Sequence, residues 1–123
     1  MSSTLVVDAA NVVGSRPDGW WKDRAGATRR LHEALMTSDP SYDRLVLVVE
    51  GAAKGGVPAG RDGHVHTVHA KGSGDDAIVE QVASARERGP RVAVVTADRA
   101  LQARVQALGA VALSPTWLLD QLV

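Results

Sequence analysis

The stretch "LVVDAANVV", residues 5–13, begins with an apolar run that ends at Asp8, and Asn11 follows three positions later. A continuous apolar and β-branched run of this kind is typical of a strand covered on both faces in a parallel sheet. A carboxylate at the end of such a strand is costly unless its charge is used there. The stretch therefore predicts a buried strand over residues 4–8 that delivers Asp8 to a functional site.

Further segments of the chain alternate between strand and helix patterns. Strands are predicted at 44–50 and 91–98, with a less buried one at 64–70 and a short one at 110–113. Apolar residues at helical spacing predict helices over 23–36, 75–89, 98–109 and 114–123, while 14–22 and the glycine-rich 50–63 are predicted to be flexible loops. This alternation predicts an α/β fold, a three-layer Rossmann-like sandwich around a mostly parallel sheet of about five strands.

Length and composition narrow the class of protein. A chain of 123 residues fits one domain, spanning 1–123, and the 45% apolar and 23% charged residues are typical of an ordinary globular domain. The absence of cysteine excludes disulfides, zinc–thiolate sites and thiol nucleophiles. A formal net charge of zero argues against a general nucleic-acid coat protein, and the lack of a signal peptide or a long apolar run favours a cytoplasmic protein without membrane contact.

Acidic residues recur where the predicted strands end. Because ligands bind outside the carboxyl ends of parallel strands, these acids are expected to share one edge of the sheet. They are Asp8, Glu50, Asp75, Asp76 and Asp98. Carboxylates that converge repel one another unless a cation neutralises them, and oxygen-only ligands favour Mg²⁺ or Mn²⁺. Such a site can activate a water for phosphodiester hydrolysis.

Each acid also has an ordinary structural interpretation. Asp75, Asp76 and Asp98 precede or begin predicted helices, where an acid caps the helix or complements its dipole. Asp8 could form an Asx turn, and Glu50 could be a solvent-facing strand end. The functional interpretation depends on all five positions together, because acids at every strand end are less probable by chance than an acid at one.

Four segments taken in order resemble the PIN-like nuclease superfamily, particularly its NYN and YacP-like branch. "VVDAANVV" is similar to the first-strand motif of that family, and "LVVEG" stands at its second-strand acid, which is usually aspartate. "GSGDDAIVE" resembles its acidic helix start, although Ser73-Gly74 replaces the family's glutamate before the paired acids. "VVTADRALQARVQALGA" resembles its strand with Thr-x-Asp-Arg, so the resemblance covers nearly the whole chain.

The resemblance implies roles for the site residues. Asp8, Asp75 and Asp98 would be the main ligands of Mg²⁺ or Mn²⁺, with Asp76 and Glu50 assisting or binding a second ion. Asn11 would orient Asp8 or a metal-bound water, and Thr96 would donate a hydrogen bond near the scissile phosphate. The implied substrate is single-stranded or structured RNA, cut by metal-activated water.

Several residues near the acids are candidates for contact with RNA. Phosphate contacts are expected from the basic side chains of Arg99, Lys54, Arg61 and Lys71. Trp20 and Trp21 follow the first acid, and one of them could stack on an unpaired base while the other packs. For each basic residue a solvated surface role is the alternative.

Three functional hypotheses follow from the sequence. The first is a metal-dependent ribonuclease. The second is a catalytically weakened PIN-like module for RNA binding or protein assembly, and the third is another Rossmann-like phosphohydrolase that acts on nucleotides. A homodimer through Leu118, Leu119 and Leu122, or a protein partner such as an antitoxin, is compatible with the sequence, although packing of these leucines inside the chain is preferred.

Overall fold

The computed structural model describes residues 2–38 and 41–122, and within them the chain forms six strands and five α-helices. The strands are β1 Ser3–Asp8, β2 Arg44–Val49, β3 Gly60–Asp62, β4 Val65–His69, β5 Arg91–Val95 and β6 Val111–Leu113. The helices are α1 Ala9–Gly14, α2 Arg24–Met36, α3 Gly74–Arg88, α4 Arg99–Ala107 and α5 Pro115–Gln121, with 3₁₀ helices at Trp20–Lys22 and Gly51–Gly56. None of these helices is long and apolar enough to cross a membrane.

The six strands form one sheet in the order β3-β4-β2-β1-β5-β6. All neighbouring pairs are parallel except the edge pair β3 and β4, which is antiparallel. The chain builds outward from β1 through β2 to β4, and then crosses to the other side of β1 to form β5 and β6. The strand order therefore reverses between β1 and β5, which is where open α/β sheets bind their ligands.

Helices cover both faces of the sheet. On one face, Leu5 and Val7 of β1 pack in a core with Leu31 of α2 and Leu118 of α5. On the other face, Val6 of β1 packs with helices α3 and α4. Because alternate residues of β1 point into different cores, every side chain of the strand is buried, as the apolar run predicted.

The predicted three-layer α/β fold is confirmed, and the differences are local. The sheet has six strands where about five were predicted, because residues 50–63 form the 3₁₀ helix Gly51–Gly56 and the edge strand β3 rather than a loop throughout. The stretch 5–13 is half strand and half helix, since Asp8 ends β1 and caps α1. The last predicted helical residue, Val123, lies outside the described residues.

Helix α5 uses its apolar side inside the chain. Ser114 caps the helix by accepting a hydrogen bond from the Trp117 amide at 3.1 Å, and Pro115 occupies the first turn, as predicted. Leu118 is fully buried, and Leu119 and Leu122 pack against the same core. The preferred interpretation of these leucines as packing residues is confirmed.

Candidate active site

Asp8 is held at the end of the central strand by three hydrogen bonds. Its Oδ2 accepts from the Thr96 hydroxyl at 2.9 Å and from the Asn11 side-chain amide at 2.8 Å. Its Oδ1 accepts only a long bond of 3.4 Å from the Asn11 backbone amide. The carboxylate is therefore fixed through one oxygen, while the other keeps most of its capacity to bind a ligand.

Asn11 connects the first strand to the loop after β5. Its side-chain NH₂ group donates to Asp8, and its Oδ1 accepts from the Ala97 backbone amide at 3.2 Å. Both ends of the amide are used, so the side chain has one orientation. Asn11 thus positions Asp8 in this structure.

Thr96 is fully buried, and its hydroxyl is shared between two site residues. It donates to Asp8 and accepts from the Asp98 backbone amide at 3.2 Å. The resemblance implied that Thr96 hydrogen-bonds near the scissile phosphate, and in this structure its hydroxyl has these two partners while its side chain has no exposed surface. In this structure Thr96 is a positioning residue for Asp8 and for the loop that carries Asp98.

Asp98 has a structural role and is also part of the acidic site. It is the N-cap of α4, because its Oδ1 accepts from the Leu101 backbone amide at 3.1 Å. This geometry matches the ordinary helix-cap interpretation of the residue. The charge of Asp98 nevertheless raises the pKa of Asp75, so the carboxylate also contributes to the acidic field.

Glu50 lies against the beginning of helix α3. Its Oε2 accepts from the Gly74 backbone amide at 2.7 Å, where the helix dipole favours a negative charge. A Cβ atom at residue 74 would come within 2.9 Å of the Glu50 carboxyl carbon, so glycine permits this close approach. The Ser73-Gly74 pair that departs from the family pattern therefore accommodates the longer acid at position 50.

The two adjacent aspartates at the start of α3 have different surroundings. The pKa of Asp75 responds to Asp98 and Glu50, which places Asp75 among the acids of the site. Asp76 is exposed and forms an ion pair with Arg104 of α4 at 3.1 Å. Neighbouring helical residues point about 100° apart, so the two carboxylates face different directions. In this structure the Asp76 carboxylate is directed toward α4, and its metal-ligand role stays a prediction.

Burial and like charge raise the pKa of two carboxyl groups at this edge. Burial is the main cause of the raised pKa of Asp8, to which the Asp75 charge adds, while hydrogen bonds from Thr96 and Asn11 oppose it. Burial is also the largest cause of the raised pKa of Asp75, and the negative charges of Asp98 and Glu50 raise it further. The ionised site is thus an unfavourable arrangement of charge that a bound cation would relieve.

Stability is expected to fall as pH rises through the interval in which Asp75 ionises. The folded chain holds its proton to higher pH than the unfolded chain, so deprotonation costs stability above the ordinary aspartate pKa. The variant Asp75→Asn should remove this part of the pH dependence. Urea unfolding between about pH 4 and pH 7 tests this. The control Asp18→Asn, in an exposed loop, should keep the wild-type slope, and an Asp75→Asn slope equal to wild type would contradict the expectation.

The acidic residues supply the right kind of ligand atom but are not assembled into a metal cluster. Within residues 2–38 and 41–122, no group of three or more histidine, aspartate or glutamate side chains is arranged to hold a metal ion. The available donors are all carboxylate oxygens, which fits Mg²⁺ or Mn²⁺. The donor chemistry therefore fits the predicted ion, whereas a closed ligand set does not pre-exist.

The predicted basic contacts lie in different elements of the fold. Arg99 is exposed and begins α4 beside Asp98, Lys71 is exposed in the loop between β4 and α3, and Lys54 lies in the 3₁₀ helix after Glu50. These three flank the acidic edge and remain candidates for phosphate contacts.

Arg61 lies elsewhere, contrary to the sequence-based expectation. It belongs to edge strand β3 and pairs with His66, which is in register with Val46 of β2. Val46 lies four residues before Glu50, a separation of roughly 13 Å along a strand. Arg61 instead lines a cavity of about 570 Å³ with His32 and Thr67, away from the acids. The expectation was wrong because residues 60–62 form a strand rather than a neighbouring loop.

The two tryptophans after α1 have different surroundings. Trp21 is 57% exposed, whereas Trp20 is half-buried against the core and carries the Arg24 guanidinium 5.2 Å from its ring centroid. Trp20 also lines a pocket of about 330 Å³ that reaches Glu50. The substrate-binding prediction for Trp20 is therefore compatible with its position beside the acids.

One supporting residue has no signal in the sequence. The Gln102 side-chain amide donates to the Thr96 carbonyl at 2.8 Å and so braces the loop between β5 and α4. Within a helical pattern, a glutamine at this position is indistinguishable from any surface residue. Only the packing of α4 against the end of β5 reveals its role.

Comparison with solved structures gives two close matches in fold. The crystal structure of Rae1 (YacP) from Bacillus subtilis matches with a TM-score of 0.77 at 22% identity, covering 98% of this chain and 73% of that one. Its W164L mutant matches with a TM-score of 0.75 at 18% identity, covering 98% and 74%. No curated protein sequence matches this chain significantly.

The sheet order, with acids at its switch point, is that of an α/β domain with the fold of these two structures. The sequence profile of the YacP-like NYN domain matches residues 5–123. The chain belongs to this family of PIN-like nucleases, as the resemblance of its four motifs predicted.

Proposed function

We propose that this chain is a ribonuclease that hydrolyses RNA phosphodiester bonds with the help of Mg²⁺ or Mn²⁺. The observation that carries the proposal is the state of Asp8, a buried carboxylate fixed through one oxygen at the strand switch point. Asp75 and Asp98 extend the acidic field around it. Fixed carboxylates with raised pKa values at a sheet edge are typical of functional sites.

Each residue has a part in the proposed mechanism. Asp8, Asp75 and Asp98 would hold the cation, and Glu50 would stay close enough to add negative charge. When bound, the cation supplies a more acidic water and stabilises charge on the phosphate under attack. Asn11 and Thr96 keep Asp8 in one orientation, so the oxygen that faces the site does not have to be reoriented at each turnover.

Binding of the cation and of RNA is expected to be coupled. The carboxylates do not form a closed ligand set on their own, and magnesium sites often combine one or two carboxylates with substrate phosphates. Arg99 and Lys71, on two sides of the acidic edge, would contact the flanking phosphates. The affinity for the cation should therefore rise when RNA is present.

The alternative is an RNA-binding or protein-assembly module with weakened catalysis. It is favoured by the same lack of an assembled ligand set, and by the use of Glu50 and Asp76 in contacts with Gly74 and Arg104. In that case the wild-type chain would bind RNA without cutting it.

Incubation of the purified chain with end-labelled RNA separates these functions. We expect cleavage with Mg²⁺ or Mn²⁺, complete loss in EDTA, and recovery when the cation is returned. Binding without cleavage under all conditions would favour the module, and cleavage that persists in EDTA would exclude the metal-dependent mechanism. Free nucleotides in parallel reactions test the third hypothesis of a nucleotide phosphohydrolase.

A further inference from the structure

A pocket of about 330 Å³ opens beside the acidic edge. Its walls come from Ala10 and Val13 of α1, the Trp20 ring, Arg24 and Thr28 of α2, and the segment 50–53 after β2. Glu50 contributes to both the pocket and the acidic site. A substrate group held in the pocket would therefore lie next to the carboxylates.

The lining of this pocket combines a small apolar floor with one aromatic ring and one guanidinium. Small side chains at residues 10, 52 and 53, with glycines at 51 and 72, leave the space open. The Arg24 guanidinium lies over the Trp20 ring, and the Trp21 ring meets the same indole edge-on at 6.1 Å between centroids. The orientation of the Trp20 ring is thus fixed from several sides.

We propose that this pocket holds a single nucleobase of the RNA strand, an inference that rests on the proposed ribonuclease function. A flat aromatic group matches the indole and guanidinium, which both stack on bases. The side chains of Thr28 and Glu50, which line the pocket, supply hydrogen-bonding groups. Every base has a π-face, so stacking of this kind selects an unpaired base rather than one sequence.

Binding of short RNAs that lack one base tests this inference. The probes are single-stranded oligoribonucleotides, each with an abasic site at one position. The readout is affinity relative to the intact RNA in EDTA, where no strand is cut and loss of the cation weakens the binding of every probe alike. For the wild type, we expect one abasic position to weaken binding by about 5- to 150-fold, the range for loss of one stacked base. That position identifies the base in the pocket.

Two pocket variants and one control complete the experiment. Trp20→Ala removes the stacking ring, and Ala52→Leu fills the pocket from an exposed position while Trp20 stays in place. Both variants should bind intact RNA as weakly as the wild type binds the abasic probe. For both variants, the abasic site should weaken binding no further. The control Asp18→Asn should keep the wild-type penalty for the missing base, because the exposed Asp18 does not line the pocket.

The outcomes distinguish this inference from the proposed function. If Ala52→Leu and Trp20→Ala both cleave and bind intact RNA as well as the wild type does, the base pocket is overturned while the proposed ribonuclease function stands. An equal penalty at every abasic position would also overturn it. Failure of the wild type to bind or cleave any RNA would overturn both proposals.

Discussion

The variant Asp8→Asn is expected to lose RNA cleavage while keeping its fold. Asparagine has the same shape, and its carbonyl can accept the hydrogen bonds that Thr96 and Asn11 donate to Oδ2. The negative charge that would bind a cation is removed. We expect a loss greater than the 10- to 100-fold that is typical of replacing a supporting residue, about 100-fold or more in kcat/KM.

Stability separates this loss from unfolding. Burial raises the pKa of Asp8, so the ionised carboxylate is less favourable in the folded chain than in water. A neutral amide avoids this cost but loses the long bond from the Asn11 backbone amide, so at neutral pH the free energy of unfolding of Asp8→Asn should stay close to that of the wild type. Asp18→Asn, an exposed acid in the loop after α1, serves as the matched control with wild-type activity. Cleavage by Asp8→Asn at the wild-type rate would remove Asp8 from the mechanism.

Replacement of Asp98 separates its charge from its capping role. Asparagine caps helices about as well as aspartate, so Asp98→Asn should keep the hydrogen bond from the Leu101 amide and the stability of α4. Asp98→Ala loses the cap and should cost about 0.5–2 kcal/mol of stability. We expect both variants to lose cleavage by about 10-fold or more, because both lack the charge.

A titration of Asp75 provides an independent readout of Asp98. The Asp98 charge contributes to the raised pKa of Asp75, so Asp98→Asn should lower that pKa toward its ordinary value. The carboxyl carbon of Asp75, followed by NMR across the acidic pH range, reports this shift. Full activity in Asp98→Asn together with loss in Asp98→Ala would assign Asp98 to helix capping alone.

The fold was largely predictable because apolar residues recur with different periods in its strands and in its helices. The apolar runs of β1, β2 and β5 required burial on both faces, and this pointed to a parallel sheet between helices. The six-residue helix α1 was missed because Val12 and Val13 are β-branched and continue the strand-like pattern. Its only signal was Asp8 as an N-cap, which also served the functional interpretation.

For the site, the sequence was sufficient to predict which strand ends carry acidic residues. Parallel strands present their carboxyl ends at one edge, and this placed Asp8, Glu50 and Asp98 together. Orientation was beyond the sequence, because it depends on contacts between distant segments. Asp76 pairs with Arg104 of another helix, and Glu50 lies against an amide 24 residues away. Position in the sheet can be inferred from pattern, whereas the partner of a side chain is set by packing.

The expected position of Arg61, in a loop beside the acids, was wrong for a similar reason. A glycine-rich segment gives little indication of strand pairing, and β3 is a three-residue edge strand with exposed residues. The pairing of Arg61 with His66 takes it away from the carboxyl ends of the central strands. The glycine content of residues 50–63 predicted a loop, whereas hydrogen bonding to β4 makes residues 60–62 the edge strand of the sheet.

Paramagnetic broadening by Mn²⁺ tests the central claim, that the acids at the strand ends form a cation site, most directly. In the ¹H–¹⁵N spectrum of the full chain, substoichiometric Mn²⁺ should broaden first the amides around Asp8, Asp75 and Asp98. Asp8→Asn should need more Mn²⁺ for the same effect, while Asp18→Asn should match the wild type. Broadening centred elsewhere, or equal broadening in Asp8→Asn and wild type, would contradict a cation site at this edge of the sheet.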